Sequence, residues 1–201
     1  MFQHDPALWH QNTDATVMQK FAQSSQFPEG VVQFQSLTQI NASPTPNYMY
    51  MQVTLSDGVG SILRNDIYRL PGNEDMIPNA CAYHDSIRQY IVTGVYVLDA
   101  TNNKYGTWYM LFDENLNPIA LNNFYFSSAN NSNYIPFSST LESTFVTDVS
   151  PVYGQDTDRH FVFTGVILEN GNDPHPRPNF ISAPTHRRLF ISILNATTQT
   201  M

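Results

Sequence analysis

The sequence predicts an all-β fold of antiparallel sheets, and three observations carry that expectation. Short runs rich in Val, Ile, Phe, Tyr and Thr recur from Val31 onward, each closed by Gly, Pro, Asn or Asp. No segment after residue 30 has a convincing helical period. Two strand-like segments, starting at Tyr90 and Phe161 and so 71 residues apart, share one pattern. A length of 201 residues is enough for one core or two small ones. Charged residues make up only 13% of the chain, about half the usual roughly 25%. Asn, Ser, Thr and Gln fill that gap, which suits an uncharged, hydrogen-bonding surface on a β-rich body.

The elements follow in order. Residues 1–30 form an irregular N-terminal segment, in which Asp14 to Phe21 reads as a short helix or, nearly as well, a strand. Val31 to Ile40 alternates through Val32 and Phe34 and then slips by one residue to Leu37, a pattern that predicts a bulge or bend. Asn41 to Asn47, with Pro44 and Pro46, is a turn. Tyr48 to Leu55 is a strand, Asp57-Gly58 marks a hairpin, and Ser61 to Leu70 pairs back. Strands are then expected at Ile77–Tyr83, Gln89–Leu98, Tyr105–Asp113 and Ile119–Phe126, separated by polar turns. Cys81 lies in a run of small residues and reads as a buried thiol without a disulfide partner.

Self-similarity organises the rest. Tyr90-Ile91-Val92-Thr93-Gly94-Val95 matches Phe161-Val162-Phe163-Thr164-Gly165-Val166. Polar turns carrying Asp and Arg precede both, and aromatic strands follow at Trp108–Asp113 and Leu189–Asn195. Upstream, Asn79–Tyr83 is set against Thr144–Val149. A weaker first copy runs through Phe34–Ile40, Tyr48–Leu55 and Ile62–Tyr68 without the Thr-Gly pair. About three repeat units are therefore expected, at 31–72, 76–126 and 140–197, in a single all-β domain over 31–201. A glycine at this position predicts close backbone approach, so Val at Gly94 or Gly165 should destabilise the fold. Two similar hairpins in one β-sandwich or jelly roll remain the alternative.

The strand Tyr90 to Gly94, the strand Gly106 to Asp113 and the turn Glu114-Asn115-Leu116-Asn117-Pro118-Ile119 resemble a blade of the β-propellers common in secreted proteins of Bacteroidetes. The resemblance covers residues 77–126 well, 142–197 moderately and 31–72 poorly. It implies shape and no chemistry, since such blades lack invariant catalytic residues. Closed propellers typically have about four to eight blades. Three units imply a fragment, a homo-oligomer that completes the ring, or another β fold.

Few residues point to chemistry. With a net charge of −8 and only Lys20 and Lys104 as lysines, phosphate-mediated nucleic-acid binding is disfavoured. No run approaches the roughly 18 apolar residues of a membrane span. Met1 to Ala22 lacks the basic start and apolar stretch of a signal peptide. His4, His10, His84, His160, His175 and His186 are scattered, read as loop or surface groups, and form no metal-ligand spacing. Asp156 with Asp158, and the Asp113–Asn117 segment, offer carboxylates for calcium but read better as hairpin turns. Asp66, Asp85, Glu114, Glu142 and Asp148 are the carboxylates from which a glycosidase pair would be drawn. No nucleophile elbow or phosphate loop occurs, so no catalytic residue, metal or cofactor is assigned.

Tyr83, Tyr105, Trp108, Tyr134 and Tyr153 lie near loops or strand ends, where rings beside Asn, Gln and Asp suit sugar stacking. Pro174-His175-Pro176-Arg177-Pro178 is a stiff, locally basic insertion, and His175 and Arg177 are its contact candidates. The expectation is a non-enzymatic binding or scaffold module, extracellular or on the cell surface, that contacts glycan or protein. A cytoplasmic location stays open. A viral or phage surface projection and a carbohydrate-active enzyme domain are the alternatives.

Overall fold

The protein is seen in a computed structural model that describes residues 9–11, 18–21, 30–39, 48–57, 59–70, 75–99, 104–124, 143–154, 159–170 and 185–201. These residues form three antiparallel sheets. The first contains β1 (Trp9–Gln11), β2 (Met18–Phe21), β3 (Val31–Gln39), β4 (Tyr48–Ser56) and β5 (Ile62–Tyr68). The second is the meander β6 (Ile77–His84), β7 (Gln89–Asp99), β8 (Lys104–Asp113) and β9 (Pro118–Phe124). The third is β10 (Ser143–Val152), β11 (His160–Asn170) and β12 (Thr185–Asn195). Two segments that the sequence leaves irregular are strands: β1 pairs with Leu37–Gln39 and β2 with Val31–Phe34, one after the other along β3. The expected turn at 41–47 lies outside the described residues.

The second sheet is covered on both faces. Strand alternation sends Tyr90, Val92, Trp108, Met110 and Phe112 toward Val32, Phe34, Met51, Val53 and Leu55 of the first sheet. The intervening Ile91, Tyr109 and Leu111 meet Val146, Val149, Phe161, Phe163 and Phe190 of the third. A strand with no wet face reads as a continuous apolar run, which is why Trp108 to Phe112 contains no polar residue. Three polar contacts pin the third sheet to the second. Asn79 donates to the Val146 carbonyl, Thr107 Oγ1 donates to the Thr144 carbonyl at 2.9 Å, and His84 Nε2 lies 3.1 Å from the Val152 carbonyl.

The slip between Phe34 and Leu37 produces no bulge. β3 pairs with β4 in unbroken register from Val31↔Ser56 to Gln39↔Tyr48. Gln35 and Ser36 are instead buried within the strand. The Gln35 amide donates to Gln52 directly opposite, Gln52 donates to Asn65 Oδ1 at 2.6 Å, and Gln33 donates to Gln35 at 2.9 Å. This amide ladder runs along the face away from Val32 and Phe34 and supplies partners for its own buried amides, while Ser36, opposite Met51, takes the inward position, so the strand keeps its register.

Gly94 and Gly165 occupy matching surroundings. Gly94 pairs with Trp108 and Gly165 with Phe190, each with a bulge opposite the adjoining threonine, at Pro78/Ala80 and at Val146/Asp148. A Cβ on Gly94 would collide with the Ile77 carbonyl and lie 2.5 Å from Trp108 Cζ2. On Gly165 it would collide with the Phe145 carbonyl and lie 2.5 Å from Phe190 Cε1. By this register Asn79 stands opposite the threonine as Thr147 does, so the expected matching of Asn79 with Thr144 is shifted by three positions.

Two variants probe these contacts. Gly94→Val and Gly165→Val are each expected to destabilise by about 3 kcal/mol or more, since the obstacle is backbone as well as a packed ring. Unchanged thermal midpoints in both would contradict the close approach. Gln52→Ala is expected to cost about 1–3 kcal/mol by stranding the Gln35 amide, whereas Gln35→Leu combined with Gln52→Leu should be nearly neutral. Urea unfolding of the single and double variants distinguishes a buried ladder from an exposed one.

Candidate functional site

The site forms where β6 turns into β7. β6 ends at His84, and Asp85 to Arg88 reverses the chain, with Arg88 N–H donating to the Asp85 carbonyl at 3.3 Å. Arg88 adopts φ +53°, a left-handed conformation that is uncommon outside Gly, Asn and Asp. The partner turn, Glu114 to Asn117, reaches the same end because Gln89 pairs with Asp113. Asp113 Oδ1 accepts from the backbone N–H of Asn115 and Asn117, at 2.9 and 2.8 Å. That carboxylate closes a turn. Arg88 crosses between the two turns and pairs with Glu114.

His84 is not a surface histidine, as the sequence led us to expect, but fully buried. Its ring lies 4.8 Å from Tyr153 and meets Phe161 edge-on at 5.6 Å. The Val152 carbonyl can only accept, so the proton is assigned to Nε2. Nδ1 has no hydrogen-bond partner and lies 4.0 Å from the Asp85 carboxylate. Tyr153 leans on this ring from outside while 56% of its surface stays exposed, within electrostatic reach of the Asp85 carboxylate. Tyr83 packs against Tyr90 with the rings tilted and their centroids 4.6 Å apart, and Arg88 lies within electrostatic reach of its phenol. Two tyrosines, two carboxylates and one guanidinium thus converge on one edge.

Desolvation, followed by the Asp85 carboxylate, raises the Tyr153 phenol above its ordinary value of 10.0. Desolvation first and then Glu114 raise Tyr83. Tyr68 and Tyr109 are also raised, chiefly by burial.

The other sequence candidates fall elsewhere. Trp108 is fully buried over Gly94 and donates Nε1–H to the Val95 carbonyl at 3.1 Å, so its ring offers no face to a ligand. Tyr105 is half-buried against Phe145 at 5.6 Å, near the start of β8 and away from the turn cluster. Tyr134, His175, Arg177, Glu142 and the Asp156–Asp158 pair lie outside the described residues. Asp66 is paired with Arg64, and Asp148 is exposed on β10. Among the described residues no three His, Cys, Asp or Glu side chains form a metal-holding group. No helix among them is long and apolar enough to cross a membrane.

Sequence reasoning named Tyr83 and Tyr153 but missed that Asp85 lies within electrostatic reach of both, and missed the Arg88–Glu114 pair. The signal was the β7–β8 register, which sets both acidic turns at one end.

The raised phenols fix the sign of an alkaline effect. The unfolded chain releases these protons near pH 10 while the folded chain holds them longer. Their contribution is therefore flat at lower pH and turns destabilising as pH rises above about 10. Thermal melts from about pH 8 to about pH 11 should show the decline, smaller in Tyr153→Phe. Compared with known proteins, the chain matches no family model, no curated protein and no solved structure.

Proposed function

We propose that the protein is a non-enzymatic binding module, extracellular or on the cell surface, that contacts a glycan through the β6–β7 end of a stack of propeller-like repeated sheets. The observation that carries this is the exposed Tyr153 ring, backed by buried His84 and neighboured by Asp85, Tyr83 and Arg88. A ring held rigid from behind presents a flat apolar surface at little entropic cost, and flanking carboxylate and guanidinium groups suit sugar hydroxyls. The low charge of the chain fits an uncharged ligand.

Repetition is supported by the shared environment of Gly94 and Gly165 and by three similar turns. In these, Asp57, Asp113 and Asn195 each accept backbone N–H groups from residues just ahead. A left-handed residue follows in each, at Gly60, Leu116 and Gln199. The non-enzymatic reading is supported by Asp66 and Glu114, whose carboxylates are each paired with an arginine.

Titration with neutral and acidic oligosaccharides, followed by amide NMR, tests the reading. Binding in the range of about 1 mM or tighter should shift the resonances of residues 83–88 and 153, and Tyr153→Ala should weaken it about tenfold. The folded state should be retained, since Tyr153 is mostly exposed. Shifts confined to other residues, no shifts with any saccharide, or undiminished binding by Tyr153→Ala would exclude the glycan reading.

A further inference from the structure

We infer that the free edge of β12 is an acceptor for a fourth strand, donated as an extended segment by a partner polypeptide and running antiparallel to β12. Counted from the Thr-Gly pair, β12 stands where β8 stands in the second sheet, with Phe190 in the place of Trp108, Ile191 in that of Tyr109 and Ile193 in that of Leu111. β8 lies between β7 and β9, and β4 likewise lies between β3 and β5. β12 has only β11 beside it among the described residues.

The turn that opens such a strand is already formed. After β4 the Asp57 N–H donates to the Ser61 carbonyl at 3.0 Å, and after β8 the Asp113 N–H donates to the Asn117 carbonyl at 3.0 Å. β5 and β9 start directly beyond these turns, at Ile62 and Pro118. After β12 the Asn195 N–H donates to the Thr200 carbonyl at 2.9 Å, and Thr200 pairs with Asn195 in the first place of a returning strand. From there the edge is open. Ala196 N–H donates toward β11, to the Arg159 carbonyl at 2.7 Å, whereas Asn195 N–H points to the other side. Antiparallel pairing alternates these directions residue by residue, so Ile193, Ile191 and Leu189 turn their N–H and C=O groups to the free edge. Their exposure rises in the same order, 52%, 75% and 87%, away from Thr200.

β12 also has the character of an inner strand. Outer strands carry charge, proline or irregular pairing that discourages a further neighbour. β5 carries Arg64 and Asp66, β9 starts with Pro118, and each meets its neighbour with a register shift. Leu189 to Asn195 holds no charge and no proline, and its pairing with β11 is unbroken. The chemistry of the donated strand follows from β9, which is seven residues long. Asn122 of β9 donates to the Tyr109 hydroxyl at 3.1 Å. Ile191, in the place of Tyr109, has no hydroxyl, so the donated strand carries an apolar residue there. It carries another opposite Leu189, where β9 sets Phe124 against Thr107. Strand acceptance at this edge needs no ligand at the β6–β7 turn.

Hydrogen–deuterium exchange of the full chain, read by amide NMR, tests this. In the free chain the amides of Leu189, Ile191 and Ile193 should exchange rapidly, and those of Phe190, Ser192 and Leu194, which face β11, slowly. The probe is a synthetic peptide of the sequence Ile119–Phe124 carrying Asn122→Leu, with a lysine added at each end for solubility. It should bind with a Kd of about 100 μM or tighter and slow exchange at Leu189, Ile191 and Ile193 about tenfold or more. The same peptide, N-methylated at the alternate residues whose N–H groups face β12, should leave exchange unchanged. Slow exchange of the three amides without peptide would show the edge already filled, by this chain if independent of concentration or by a second copy if it grows with concentration, and either result would overturn the proposal. So would a peptide that gives no protection, or an N-methylated peptide that protects equally well.

Discussion

The second sheet has no side facing water, and most of the structure follows from that. A strand buried on one face needs every other residue apolar; one buried on both needs nearly all of them. β7 and β8 meet this demand with Tyr90 to Val92 and Trp108 to Phe112. Neither neighbouring sheet can be removed without exposing half of these side chains to water. Fully burying one large apolar side chain stabilises by about 1.5–3 kcal/mol, so the three layers hold one another in place. The threonine–glycine pairs serve the same end. Thr93 is buried and donates Oγ1–H to the Trp108 carbonyl at 2.9 Å, while Gly94 leaves room for the indole. The largest side chain of the core therefore lies flat against its own sheet.

The first sheet is built differently on its two faces. The face toward the core carries Val32, Phe34, Met51, Val53 and Leu55, while the other carries the amide ladder of Gln33, Gln35, Gln52 and Asn65. An amide row satisfies donors and acceptors in pairs across neighbouring strands, so it tolerates burial that isolated glutamines would not. It also fixes register, because a one-residue slip would turn every glutamine into the apolar core.

This contrast explains how much the sequence revealed. Alternation and turn chemistry carried the strands from Tyr48 onward, since Asp-Gly, Asn-Pro and runs of β-branched or aromatic residues are local signals. The Thr93-Gly94 and Thr164-Gly165 pairs were visible as motifs, and the steric reason for glycine was legible from close approach alone. The bulge expected in β3 does not form because Ser36 holds the core-facing position opposite Met51 and Leu37 falls on the amide face; the Gln35 partner Gln52 is 17 positions away and leaves no local trace. β2 was legible only as an ambiguity, since four residues are too few for a period to declare itself. Tyr83 and Tyr153 could be named from sequence, but the packing of Tyr153 on His84, next to Tyr83, depends on how the third sheet sits on the second, a contact between residues roughly 70 positions apart.

Which aromatic groups stay available is decided by parity and position, not by residue type. Trp108, the more obvious sugar-stacking side chain, lies mid-strand in a sheet with two buried faces, so either parity would have enclosed it. Tyr153 follows the last residue of β10, where alternation no longer dictates direction and the ring can rest across the end of the neighbouring strand. His84 is the last residue of β6 and is still governed by the sheet, so it turns inward and becomes the floor beneath Tyr153. One residue of strand length thus separates a buried support from an exposed contact. The same rule makes Leu189, Ile191 and Ile193 conspicuous, because they obey alternation in a sheet whose second face has no layer against it among the described residues.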